Sequence, residues 1–173
     1  MMGSKRILPA LTLLAALTSS AALAQVSEQG AMHEHAAPAH IALSTDEIQW
    51  NPAPPVLPAG AQIAVLEGDP AKEGPFTLRL KLPEGYRIQP HTHPVIEHVT
   101  VISGKFGIGL GETFDEGKIK WAEEGGFYMM ATGVAHFAAT EEETVIQLHS
   151  SGPWALNYVN PADDPRNPAP SSR

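Results

Sequence analysis

Between Phe76 and Leu82 the chain alternates. Phe76, Leu78, Leu80 and Leu82 are apolar, while Thr77, Arg79 and Lys81 are polar. Residues two apart face the same side of a strand, so this stretch predicts a strand with one buried face. Pro83-Glu84-Gly85 then reads as a turn. Beyond it, short apolar and β-branched runs recur: Val95 to Ser103, Phe106 to Leu110, Ile119 to Trp121, Phe127 to Met130, Val134 to Ala138, Thr144 to Leu148, and Leu156 to Val159. Gly104-Lys105, the polar stretch from Gly111 to Lys118, and Gly125-Gly126 separate several of them. No long window after Gly60 carries a helical period. Short strands at roughly ten-residue spacing, punctuated by glycine and proline, predict an all-β sandwich or barrel.

The two ends read differently. Lys5 and Arg6 precede an apolar run from Ile7 to Leu17, and Ala22-Leu23-Ala24 supplies a small-x-small cleavage pattern. That is the form of a signal peptide, too short to span about 30 Å of hydrocarbon. Cleavage is expected after Ala24, the expected localisation is periplasmic, and no stable membrane insertion is expected afterwards. Residues 25–61 contain His33, Glu34, His35 and His40 in an order that fixes no geometry, then Pro52, Pro54, Pro55 and Pro58. Proline at that density excludes a helix and predicts an N-terminal arm, from which Ile48 and Trp50 are placed to dock. The expected organisation is a signal peptide over 1–24, the arm over 25–61, a barrel over 62–160 and a proline-rich C-terminal tail over 161–173.

Composition narrows the function classes. The chain of 173 residues carries a net charge of −8, and no basic cluster lies outside the extreme N-terminus. A nucleic-acid footprint is absent, and an anionic membrane surface would repel such a chain. There is no cysteine, which excludes disulfides, thiolate metal sites, cysteine nucleophiles and lipid attachment through cysteine. The sequence holds no serine-histidine-aspartate order and no glycine-rich phosphate loop.

The chemistry concentrates between Gly85 and Gly104, where His91, His93 and Glu97 are spaced by two and four. On one regular strand these three would face the same side, within about 20 Å of one another, and His98 would face the other. Two imidazoles and a carboxylate buried together are costly unless something neutralises them, and a divalent cation does so. A fourth ligand is expected from a later strand, and His136 is the candidate. Three neutral imidazoles and one carboxylate would leave one or two coordination positions open.

These residues resemble the first motif of the cupin superfamily, a glycine, five residues, His-x-His, three or four residues, a glutamate, six residues and a glycine. Gly85, His91, His93, Glu97 and Gly104 match each fixed position. The second motif is matched at Gly125, Gly133 and His136, with Ala131 in place of its proline and Thr140 in place of its asparagine. The resemblance implies a single-domain, antiparallel double-sheet jelly-roll barrel of six to eight strands. It implies one divalent transition metal ion, iron, manganese, nickel or zinc, held by His91, His93, Glu97 and His136. Small cupins pair through barrel edges, so a homodimer is expected.

Function is less determined. Gln147 and His149 share a strand face; either they line the pocket as substrate-orienting or catalytic candidates, or Ile146 and Leu148 point inward and leave them outside. Tyr86, Tyr128, Met129, Met130 and Phe137 read as core, and Trp154 as a lid over one barrel end or a dimer contact. The favoured reading is a metal-dependent enzyme on a small organic molecule, either a dioxygenase or a Lewis-acid isomerase, lyase or hydrolase. The alternative is a non-catalytic periplasmic protein binding a small molecule or metal. A manganese redox protein resembling germins fits less well, because the disulfide of that group has no counterpart here.

Overall fold

The computed structural model describes residues 40–167. The expected signal peptide, and with it His33, Glu34 and His35 of the arm, lie outside the described residues. Eleven strands run through the rest: β1 (Asn51–Pro52), β2 (Gln62–Glu67), β3 (Gly74–Leu82), β4 (Arg87–Thr92), β5 (Glu97–Ser103), β6 (Phe106–Leu110), β7 (Lys120–Ala122), β8 (Phe127–Met130), β9 (His136–Thr140), β10 (Thr144–Gly152) and β11 (Asn157–Tyr158). Among the described residues the helical segments are three short 3-10 turns.

The strands form two antiparallel sheets. One has the order β1-β2-β3-β10-β5-β8, the other β11-β4-β9-β6-β7. This is the all-β barrel expected from the strand pattern, in the double-sheet jelly-roll form that the cupin resemblance implies, with short edge strands that raise the count above eight. The alternation at 76–82 has its predicted meaning: Phe76, Leu78, Leu80 and Leu82 are all buried in the interior. They meet Ile146 and Leu148 of β10, Val99 and Val101 of β5, and, from the other sheet, Ile88, Phe106 and Ile108. Each such side chain contributes about 1.5–3 kcal/mol on leaving water, which fixes which face of each strand turns inward.

The core also begins earlier than the proline count suggests. Leu57 and Ala61 belong to it, Ile48 is buried, and β1 pairs with β2. The prolines of this segment prevent a helix but leave short extended pieces that pack against the sheet. Trp50 docks against β3 through Lys81, whose ammonium lies 4.6 Å from the ring centroid.

Four glycines of the two motifs sit where only glycine is comfortable. Gly85, Gly104, Gly125 and Gly133 have φ between 67° and 82°, the left-handed region that a Cβ disfavours. Gly104 is also closely packed, since a Cβ there would lie 2.5 Å from the Glu143 carbonyl oxygen. Thr140, in the place of the motif's asparagine, keeps a structural role. Its hydroxyl accepts from the Tyr86 N–H at 2.9 Å and donates to the Pro83 carbonyl at 2.6 Å, tying β9 to the turn before β4.

Candidate metal centre

The structure brings His91, His93, Glu97 and His136 together, but not by way of a single strand. His91 lies near the end of β4, His93 just past it, and Glu97 opens β5 in the other sheet. Pro94 follows His93 directly and has no N–H to continue a ladder, so the strand stops there. The expectation of three ligands on one strand face is corrected: they belong to both sheets and the corner between them. Within β4 the pairing with β9 also shifts register between Ile88 and His91. That bulge is why Ile88 and His91, three residues apart, both point inward. His136, opposite His91 in the β4–β9 register, comes from the later strand as expected.

All four residues are 5% exposed or less. One ring nitrogen from each of His91, His93 and His136 lies within 4.8 Å of the others. Their other nitrogens are committed to the backbone. His91 Nδ1 lies 2.7 Å from the Gln89 carbonyl, His93 Nδ1 2.7 Å from that of Ala155, and His136 Nδ1 3.0 Å from that of Val134. A carbonyl oxygen only accepts, so Nδ1 carries the proton in each ring and Nε2 presents its lone pair inward. Such backbone bonds fix the tautomer and ring direction of ligating histidines.

Electrostatics favour this neutral state. Burial, followed in effect by the neighbouring His136 and His93, holds His91 well below the usual imidazole range. Burial takes His93 down to about 4, against the opposing Ala155 bond. Burial likewise lowers His136, against its bond to Val134. Glu97 is pushed up to about 7 by burial, opposed by its hydrogen bond from Trp154.

The donor set fits a metal ion on one further observation. His93 Nε2 is buried without a hydrogen-bond partner among the described residues. It faces Glu97 Oε1 at 3.4 Å, two lone-pair groups side by side. An orphaned buried acceptor costs about 1–3 kcal/mol, and a cation between imidazoles and carboxylate would give this one a partner.

The residue that sequence reasoning under-read is Trp154. Its indole stacks on His93 with centroids 5.0 Å apart, and its Nε1–H donates to Glu97 Oε1 at 3.2 Å. Its only sequence signal was position, shortly after β10 and behind Gly152-Pro153. The cavity beyond the histidines holds about 30 Å³ and is otherwise apolar, walled by Leu80, Val99, Ile108, Ile146 and Leu148 among others.

Gln147 and His149 are not part of it. Ile146 and Leu148 are buried against the cavity, so the alternation of β10 turns Gln147 and His149 to the outer face. Gln147 there accepts from Arg79 Nε at 3.1 Å. His149 stacks on His98, its cross-strand partner, with centroids 5.0 Å apart and ring planes within 8°. His98 therefore faces away from the metal centre, as its parity predicts. Of the residues read as core, Tyr86, Met130 and Phe137 are buried, whereas Met129 is exposed.

No curated protein sequence matches the chain significantly. Several solved structures share its fold. The polyketide cyclase RemF from Streptomyces resistomycificus is 14% identical, over 72% of this chain and 88% of that one, with a TM-score of 0.59. A putative acetylacetone dioxygenase from Methylibium petroleiphilum is 18% identical, over 74% of this chain and 86% of that one, with a TM-score of 0.56. An RmlC-like cupin from Shewanella frigidimarina is 14% identical, over 66% and 92%, with a TM-score of 0.52. At these identities the likeness is one of fold. A family model described as a domain of unknown function (DUF4437) matches residues 17–157. With two antiparallel sheets folded like those of these cupin structures and enclosing a histidine cluster able to hold a metal, the chain belongs to this DUF4437 family.

Proposed function

We propose that this protein is a metal-dependent cupin enzyme acting on a small organic molecule, with His91, His93 and His136 ligating through Nε2 and Glu97 through its carboxylate. The observation that carries the reading is the orphaned His93 Nε2, aimed at Glu97 among imidazoles already locked in the ligating tautomer. An iron, manganese, nickel or zinc ion bound there would supply a Lewis acid and, with iron or manganese, a redox centre. The chain supplies the rest. Gln89, Ala155 and Val134 hold the rings in direction through their carbonyls, and Trp154 holds the Glu97 carboxylate in place. The apolar walls keep bulk water from the open side. Oxidative and cyclising activities are named for two fold neighbours, and either class of chemistry suits a buried site of this kind.

The size of the cavity supports a second reading. About 30 Å³ accommodates one or two waters beside an ion and no organic substrate. A protein that binds metal without turning over a substrate would look like this. Metal content separates protein with a loaded site from protein without one. We expect close to one transition metal ion per chain after purification without chelators or after reconstitution; a ratio near zero in both would end either reading. Substrate-dependent oxygen uptake or product formation by the loaded protein would then favour the enzyme, and metal binding without turnover the alternative.

Export to the periplasm and a homodimer belong to the same proposal. The first is supported by the segment from Lys5 to Ala24. The second is supported by the half-exposed Phe127 and Met129 on β8, which lies at the edge of its sheet. Mass analysis of the exported chain and light scattering of the purified protein test them.

A further inference from the structure

The inner face of the larger sheet extends past the point where the smaller sheet covers it. Ile63 and Val65 of β2 stand opposite Leu80 and Leu78 of β3, and directly paired residues share a face. Yet Leu78 is 1% exposed and Val65 49%. An inward-facing apolar side chain left half in water marks a place where the interior opens. That place is a groove of about 480 Å³, walled by Val56, Ile63, Val65, Leu78, Trp154 and Leu156 among others. Its size lies within the range of about 300–1,000 Å³ usual for small-molecule sites.

The groove adjoins the metal cavity. Among the described residues, Trp154 and Leu156 line both spaces. The same short segment also holds two of the four candidate ligands. Ala155 accepts from His93 Nδ1, Trp154 donates to Glu97, and the Trp154 ring lies against His93. On the groove side, the Trp154 backbone N–H donates at 2.7 Å to the carbonyl of Pro70, itself a groove residue. Whatever fills the groove therefore presses on the wall that orients His93 and Glu97.

Charge at the rim is already matched within the protein. Arg166 forks onto Asp164 at 2.8 and 2.6 Å, and Asp69 accepts from Lys72 Nζ at 3.1 Å and from the Ala71 N–H at 3.0 Å. Among the described residues, both charged side chains that line the groove, Asp69 and Arg166, thus have a counter-charge within the protein, while the walls offer apolar surface and an aromatic ring.

We propose that this groove binds an uncharged, largely apolar organic molecule, the substrate of the metal centre, and that Trp154 is the positioning residue that divides it from the metal cavity. The word substrate rests on the metal-dependent reading above; the groove and its partition do not. Swinging of Trp154 would join the two spaces and give the metal's open side the room that 30 Å³ denies it.

The test uses the full chain, metal-loaded, with 2-naphthol as an uncharged probe and 2-naphthoate as its charged counterpart. The readout is the indole N–H resonance of Trp154, identified by its loss in Trp154→Phe. We expect 2-naphthol to shift that resonance saturably and 2-naphthoate to bind at least about tenfold more weakly. Val65→Glu, at a half-exposed position that leaves the core intact, should weaken 2-naphthol about tenfold or more without changing metal content. Trp154→Phe, which removes the reporter and is followed by metal titration alone, should lower metal affinity by about 10–100-fold, because Glu97 loses its donor. Equal binding of the two probes, unchanged affinity in Val65→Glu, or unchanged metal affinity in Trp154→Phe would each overturn the proposal. Metal-loaded protein that ignores 2-naphthol sinks the groove and spares the metal reading. Protein that binds 2-naphthol but never metal sinks the metal reading and spares the groove.

Discussion

The protein carries histidines inside, on its smaller sheet and the corner after β4, and outside, on the outer face of its larger sheet, and they come to opposite ends. Glu97 and His98 are neighbours in sequence, yet Glu97 points into the interior and His98 out of it. Inside, His91, His93 and His136 are buried, each pinned by a backbone carbonyl, with free nitrogens converging. Outside, His98 and His149 are stacked side by side on β5 and β10 along a surface groove of about 640 Å³, with no such backbone anchor among their hydrogen bonds in the described residues. The residue type is the same. What differs is burial and the fixing of Nδ1, which together leave the inner rings neutral and aimed at one point. Spacing alone does not make a site; spacing plus a low-dielectric wall and a committed second nitrogen does.

The sharpest way to break this contrast is to remove one histidine from each cluster. His93→Ala and His136→Ala should lower metal affinity by about 100-fold or more, beyond the roughly 10–100-fold typical of losing an outer hydrogen bond. His98→Ala should change it less than about twofold. Chelator competition with metal analysis measures all three, and equal losses would mean that the ligand set is misassigned.

Acid should separate the clusters next. His93 is held at about 4 in the folded chain and His91 and His136 are also lowered, whereas an unfolded histidine titrates near 6.5. Below that value the unfolded chain binds more protons, so their contribution is full above about pH 6.5 and is lost as pH falls through the folded values. For His93 alone the shift corresponds to about 3 kcal/mol. Glu97 acts in the other sense. Raised to about 7 from 4.5, its contribution is present below pH 4.5 and lost as pH rises through 7. Three groups of one sign against one of the other should leave the metal-free protein less stable in acid. Metal affinity should also fall below about pH 6, as protons compete for the imidazoles. Thermal melts of metal-free and loaded protein from pH 4 to 8 check the sign; a metal-free protein that gains stability on acidification would contradict it.

Glu97→Gln sharpens the comparison further, because its effect should reverse with metal. In the metal-free protein above pH 7 it removes a buried charge and, with its amide oxygen in the place of Oε1, keeps the acceptor for Trp154, so stability should rise by about 1–2 kcal/mol. In the presence of metal it removes a charged ligand and should weaken binding. Melting with and without metal would show both. The smallest effect is expected outside: His149→Ala should alter stability by no more than about 0.5 kcal/mol, as for other exposed sites. A larger loss in denaturant titration would make the His98–His149 stack a structural element.

Much of this was legible in the order of residues. Period two at 76–82 named the inward face of β3, and the positive-φ glycines at 85, 104, 125 and 133 fall at turns that the motif spacing already marked. The four ligand candidates do lie buried beside one another, and three of them, His91, His93 and His136, bring ring nitrogens within reach of one ion. Less visible were the paths by which they meet. A regular strand from His91 to Glu97 was the natural extrapolation, but Pro94 ends the strand and a bulge re-aims His91. The parity of β10 was undecidable from sequence, because Gln147 and His149 alternate with Ile146 and Leu148 as well in one phase as in the other.

The sequence by itself determined the composition of the protein: strand-length apolar runs, turns that demand glycine, and a donor set without thiolate. These follow from local sterics and ligand chemistry, which act over a few residues. Tertiary structure decided the rest. It chose which face of β10 meets the cavity and brought Trp154 from the far end of the chain onto His93 and Glu97. It also left Val65 facing an opening rather than a neighbour. Each of these depends on two sheets closing over one another, and contacts between residues some sixty positions apart leave no mark in the spacing of either one.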